Sequence, residues 1–321
     1  MKILIGYDGS DCADAALDDL IQAGLPPKGD FHIMTVAEVW LPQPSPSSDE
    51  ILEEARNATS PADLQRDFSK HCAAAKEALV LAERARDRVQ AKFPGWRVTA
   101  DSSCGSAAWE LVAKADEWNP DLIIVGSHGR TALGRFVLGS VSQRVLTESR
   151  CSVRIARGRL EEPNSPVRII VGTDGSPASE EALKALAARN WPPQSEVEVM
   201  MVDDPIAPDF LGKIIPPVGK VIKEDREQER AWIEKISKSS LDILHEAEIK
   251  VSCVLREGDP KQELCKAAEE WHADCIFVGS AGFSNRLERF VLGSISAAVA
   301  ARAHCSVEVV RVPGTIRSLW S

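Results

Sequence analysis

Short apolar runs rich in β-branched residues alternate along the chain with longer segments whose apolar positions recur every three or four residues. Lys2-Ile3-Leu4-Ile5-Gly6 reads as a strand, and Ala13, Ala16, Leu17, Leu20 and Ile21 then mark one face of a helix capped by Ser10 or Asp11. Phe31 to Ala37 reads as a second strand. A long helix follows, with Ala75, Leu79, Ala82 and Val89 on one face, then a strand over Arg97–Ala100 and a helix with Ala108, Leu111, Val112 and Ala115 inward. Leu122-Ile123-Ile124-Val125 predicts a strand buried on both faces, residues 140–149 a helix, and Ser152–Ala156 a fifth strand. From Val167 the cycle restarts, with strands over 167–172, 196–202, 250–255, around Ile276 and Val278, and 307–310. The pattern predicts an open parallel α/β sheet, twice over. The stretches 41–60 and 203–221, rich in proline, fall in the same place in each half and predict long loops.

The second half repeats the first in residues as well as in pattern. Glu117-Trp118, Asp121, Ile123 and Val125-Gly126-Ser127 are echoed by Glu270-Trp271, Asp274, Ile276 and Val278-Gly279-Ser280. Arg135-Phe136-Val137-Leu138-Gly139-Ser140 reappears unchanged at 289–294, and Cys151-Ser152-Val153 returns as Cys305-Ser306-Val307. Self-similarity at about half the chain length means two copies of one domain, placed at 1–157 and 167–313, with a charged, proline-containing linker between them.

Composition narrows the function classes. A net charge of −10 argues against a nucleic acid or an anionic membrane as partner. No apolar run approaches the roughly 18 residues of a spanning helix, and the N-terminus enters a strand without a leader pattern. Eight cysteines without Cys-x-x-Cys or zinc spacing read as reduced thiols of a cytoplasmic protein, those at 151, 275 and 305 buried in strand contexts. No metal-ligand cluster, Walker lysine or acid–base pair stands out, so no catalytic residue is assigned.

The chemistry concentrates after the fourth strand. There the spacing is Gly126-x2-Gly129-x9-Gly139-Ser140, with a strand before it and a helix after it. Glycines let backbone N–H groups approach a ligand, and a helix start at Gly139-Ser140 adds unpaired donors and the positive end of the dipole. These residues resemble the nucleotide-binding signature of the universal stress protein family, and the resemblance covers both halves. It implies five strands per half in the order 3-2-1-4-5, Rossmann-like, with helices on both faces, so that the ends of strands 1 and 4 share a crevice. It implies ATP, alone or with Mg²⁺, in that crevice. Tyr7, Asp8 and Val36 would frame the base, Val125, Gly126, His128, Gly129 and Arg130 would surround ribose and phosphate, and Gly139, Ser140, Val141 and Ser142 would hold the phosphates. The second-half counterparts are Asp174, Val202, Gly279, Gly282, Gly293, Ser294, Ile295 and Ser296. Family members pair strand-5 edges, which implies that the two halves pair through 152–156 and 306–310; association of whole chains stays open.

The second copy departs from the signature: ten residues, not nine, separate Gly282 from Gly293, Ala281 replaces His128, and Phe283 stands where Arg130 does. Nucleotide binding there and a degenerate, stabilising copy are equal alternatives. The expected role is a nucleotide-responsive stress or signalling protein. The alternatives are an interaction module that binds no nucleotide and a weak ATPase.

Overall fold

Strands of five to eight residues form where β-branched runs are bounded by polar turns, and all ten join one sheet. A computed structural model describes residues 1–38, 61–128, 138–158, 165–204, 234–245, 249–280 and 292–312. The first half runs β1 (Lys2–Gly6), α1 (Asp11–Asp19), β2 (Asp30–Ala37), α2 (Pro61–Lys92), β3 (Arg97–Cys104), α3 (Ala107–Trp118), β4 (Leu122–Gly126), α4 (Ser140–Glu148) and β5 (Ser152–Ala156). The second runs β6 (Arg168–Gly172), α5 (Pro177–Ala187), β7 (Glu196–Asp203), a helix α6 over 234–245, β8 (Lys250–Glu257), α7 (Pro260–Trp271), β9 (Cys275–Gly279), α8 (Ser294–Arg302) and β10 (Ser306–Val310).

The strand order is β3-β2-β1-β4-β5-β10-β9-β6-β7-β8. Each half therefore has its first and fourth strands side by side at the centre. Eight of the nine pairings are parallel, and β5 meets β10 antiparallel. The halves thus share one continuous sheet, joined at their two strand-5 edges. The physical reason is edge coverage: two five-residue edges with unpaired backbone groups satisfy each other.

Alternation along the central strands divides the core. Leu4 faces one side with Leu111, Val112, Val145 and Leu146, while Ile3 and Ile5 face the other with Leu17, Leu20 and Ala82. The first of these cores runs unbroken across the β5–β10 seam, taking in Val153, Ile155, Val299, Val307 and Val309. On the opposite face each half keeps its own apolar core, around Leu17 and around Leu183. Beside those two cores lies a polar cluster in which Asp19, Arg154 and Glu308 are buried. Arg154 of β5 is bonded through Nε to Asp19 Oδ2 at 2.5 Å, its Nη1 lies 3.4 Å from Glu308 Oε2 of β10, and Glu308 also binds Arg189. Beside them Arg189 Nη1 donates to Ala23 O at 2.7 Å and Asn190 N to Gly24 O at 2.8 Å.

Local ends follow from particular residues. Ser10 and Ser176 cap α1 and α5 by accepting from Ala13 N and Ser179 N. Asn119 and His272 end α3 and α7 in the left-handed region, at φ 52° and 54°. In α2 the inward face is Ala78, Ala82, Ala85 and Val89; Leu79, expected on that face, is exposed. The helix is so alanine-rich that apolar spacing alone does not fix its rotation. Ile21 is only half-buried, because the chain tightens into a 3₁₀ turn over Leu20–Gln22. Of the cysteines, Cys275 and Cys305 are buried, Cys151 is partly buried, and Cys104 and Cys253 are exposed. Among the described residues no helix is long and apolar enough to cross a membrane.

Candidate nucleotide-binding crevice

The parallel pairing of β1 with β4 brings two strand ends together, and the chain leaves them in opposite directions, to α1 and toward α4. Between them opens a crevice of about 520 Å³. Its floor is Gly6, Tyr7 and Asp8 from the end of β1 and Val125 and Gly126 from the end of β4. One wall is Met34 to Glu38 at the end of β2, with Ala74, Glu77, Ala78 and Leu81 of α2 above it. The other is His128 with Gly139, Ser140, Val141 and Ser142 at the start of α4.

Ten residues singled out in the sequence thus meet in one place: Tyr7, Asp8, Val36, Val125, Gly126, His128, Gly139, Ser140, Val141 and Ser142. Gly129 and Arg130, and Gly282 in the second half, lie outside the described residues. The remaining second-half positions occupy the equivalent strand and helix ends: Asp174 follows β6, Val202 is at the end of β7, Gly279 ends β9, and Gly293 caps α8, which begins Ser294-Ile295-Ser296.

Each polar group has a local reason for its orientation. Asp8 Oδ1 accepts from Ser10 N at 2.9 Å and Ser10 Oγ at 2.6 Å, an Asx turn that fixes the loop after β1. Asp174 Oδ1 accepts from Ser176 N in the same way, at 3.0 Å. Ser142 Oγ donates to Gly126 O at 2.6 Å, and Ser296 Oγ to Gly279 O at 2.6 Å. That hydroxyl therefore locks α4 to the end of β4, and the Ser142 backbone N–H, in the first turn of the helix, is the group that suits an anion. Ser140 is exposed, at the first helical position after the Gly139 cap.

Tyr7 donates its hydroxyl to Asp14 Oδ1 at 2.8 Å, and the same oxygen takes Arg88 Nη1 of α2 at 2.8 Å. Burial first, and then the Asp14 bond, push the Tyr7 phenol up to about 12. Arg88 and Lys92 also clamp Asp18, at 2.6 and 2.5 Å. The crevice floor, α1 and α2 are thereby tied together.

His128 Nδ1 lies 3.1 Å from Ser127 Oγ, and its buried Nε2 has no partner among the described residues. Burial and then the nearby Arg157 lower its pKa below the ordinary value. We expect His128 to titrate below about 6.5 in an NMR pH series and to be neutral at pH 7. A midpoint above that value would mean that a nearby carboxylate outweighs burial and Arg157 together.

Sequence reasoning missed Glu38, Glu77 and the alanine face of α2. With Asp8 they put three carboxylates on the lining, and among the described lining residues there is no lysine or arginine. An anion here would rest on backbone N–H groups and the α4 dipole. The only sequence cue was the small-residue run Ala73-Ala74-Ala75 with Ala78, which lets α2 pass close to the strand ends.

The Usp model, described as "Universal stress protein family", matches residues 1–157 and again 167–311. A universal stress protein of Methanocaldococcus jannaschii is 32% identical over 147 residues, covering 46% of this chain and 82% of its own length. One from Mycolicibacterium smegmatis is 31% identical over 202 residues, 59% of this chain and 61% of the relative. In fold, the chain resembles the crystal structure of a universal stress protein from Archaeoglobus fulgidus with a TM-score of 0.57 over 97% of this chain and 96% of that one, at 19% identity. Two matches of the family model, spanning nearly the whole sequence, place this chain in the universal stress protein family.

Proposed function

We propose that the chain binds an adenine nucleotide, ATP foremost, in the first-half crevice, and that it acts as a nucleotide-responsive stress or signalling protein. One observation carries this reading: four separate chain segments deliver the ten sequence-predicted residues to one crevice between β1 and β4. In an open α/β sheet the neighbouring first and fourth strands mark the switch point where ligands settle. The β-end of the crevice, with Val36 and Met34, suits a flat apolar base. The α4 end, with its glycine and first-turn N–H groups, suits phosphates. The unpartnered Nε2 of His128 adds a polar contact between them. Mg²⁺ accompanying the nucleotide would offset the carboxylates of Asp8, Glu38 and Glu77 by charge.

The acidic lining is the observation that favours a second reading, an interaction module that takes no nucleotide. Calorimetric titration of nucleotide-stripped protein separates the two. The proposal expects saturable heat with Mg·ATP, at one or more equivalents per chain, and weaker binding of adenosine. No heat with any adenine nucleotide would promote the interaction module. Equal affinity for adenosine and ATP would deny the α4 end its phosphate role.

A further inference from the structure

We propose that Arg154 and Glu308 make the two halves of this chain specific partners: the β5 edge accepts a β10 edge and rejects another β5. The inference starts from a departure in the repeat. Cys-Ser-Val-Arg-Ile-Ala-Arg at 151–157 returns as Cys-Ser-Val-Glu-Val-Val-Arg at 305–311, with charge inverted at one position and kept at another. In the antiparallel ladder Val153 faces Val309, Ile155 faces Val307, and Arg154 faces Glu308. Only the central residue meets its own counterpart. It therefore lies on the local two-fold axis, where two identical edges would set a side chain against itself.

Contacts away from the axis do obey the two-fold. Arg157 N donates to Ser306 Oγ at 2.9 Å, and Arg311 N to Ser152 Oγ at 3.2 Å. Arg157 Nη2 reaches Ala300 O near the end of α8, and Arg311 Nη2 reaches Leu146 O near the end of α4, at 2.5 and 2.7 Å. Like-with-like pairing could form these bonds equally, so they hold the halves together without selecting between partners.

The axis selects. Arg154 is 0% exposed, Glu308 1% and Asp19 2%. Across the seam the buried charges alternate in sign: Asp19, Arg154, Glu308, Arg189. Ser306 Oγ crosses as well, donating to Asp19 Oδ1 at 2.6 Å. Two β5 edges would set guanidinium against guanidinium on the axis, each left with its own Asp19 alone, and two β10 edges carboxylate against carboxylate, each left with its own Arg189 alone. A buried like-charge pair is a repulsive element of the kind that specific interfaces build against wrong partners. If chains associate through this edge, they do so by exchanging halves.

The test uses the full chain with a protease site placed between Leu160 and Glu161 and cut after folding. Native mass spectrometry of the cut protein should show assemblies with one first half and one second half only, unchanged on long incubation. Glu308→Arg, which recreates the like charge on the axis, should raise the dissociation constant of the cut halves at least about thirtyfold. Glu308→Gln should raise it at least about threefold, and serves if the reversed charge prevents folding. A statistical mixture of like and unlike pairs would overturn the proposal. So would an unchanged dissociation constant in these variants, or halves that part and unfold as soon as the connection is cut.

Discussion

Replacing Arg154 by Met will destabilise the folded chain by about 3–5 kcal/mol, the cost typical of removing one partner from a buried ion network. The side chain is wholly buried, gives Asp19 two hydrogen bonds, at 2.5 and 3.1 Å, and faces Glu308. Methionine fills much of the volume but leaves Asp19 and Glu308 facing each other across the seam with their shared cation gone. Ser306 still donates to Asp19 and Arg189 still binds Glu308, so the network is weakened and not abolished. Urea unfolding at pH 7 measures the loss. A change below about 1 kcal/mol, the range of exposed ion pairs, would mean that water reaches the seam.

The second large effect concerns Gly126. A Cβ there would stand 2.8 Å from Cys12 O and 2.9 Å from Cys12 C. These are backbone atoms next to the start of α1, so neither can rotate away. Gly126→Val forces the end of β4 and the start of α1 apart, at about 1–3 kcal/mol of stability. Because Gly126 and Ala13 of α1 both line the crevice, affinity for ATP should fall at least about tenfold, which corresponds to about 1.4 kcal/mol. Gly279→Val is the matched control, since its Cβ would lie 2.5 Å from Ala178 C in the second half. It should cost similar stability while leaving the first crevice intact. Equal loss of ATP affinity in both variants would show a global effect and not a local one.

The strands and their alternation were plain in the sequence because β-branched runs such as Leu122–Val125 bury both faces and admit few other readings. The crevice was legible for a different reason: tight turns demand glycine, and the glycine positions repeat. The rotation of α2 was not legible. Its inward residues Ala78, Ala82 and Ala85 are hardly more apolar than their neighbours, so apolar spacing favours Leu79 as the core residue, and Leu79 is exposed. Nor could Glu77 be placed, since its position on the crevice wall depends on how α2 crosses the sheet. Arg154 is the sharpest case. Nothing in the apolar pattern marks the charge in this short strand as buried, yet it lies against Glu308, 154 residues away in the chain. The inverted sign in an otherwise similar repeat was the available clue.

The proposal of a nucleotide sensor rests on the first-half crevice, and the structure of the chain crystallised with Mg·ATP tests it most directly. We expect the base between Val36 and Asp8, and the phosphates at the Gly139–Ser142 turn within hydrogen-bond distance of its N–H groups. An empty crevice at saturating nucleotide, or a nucleotide bound elsewhere on the chain, would contradict it.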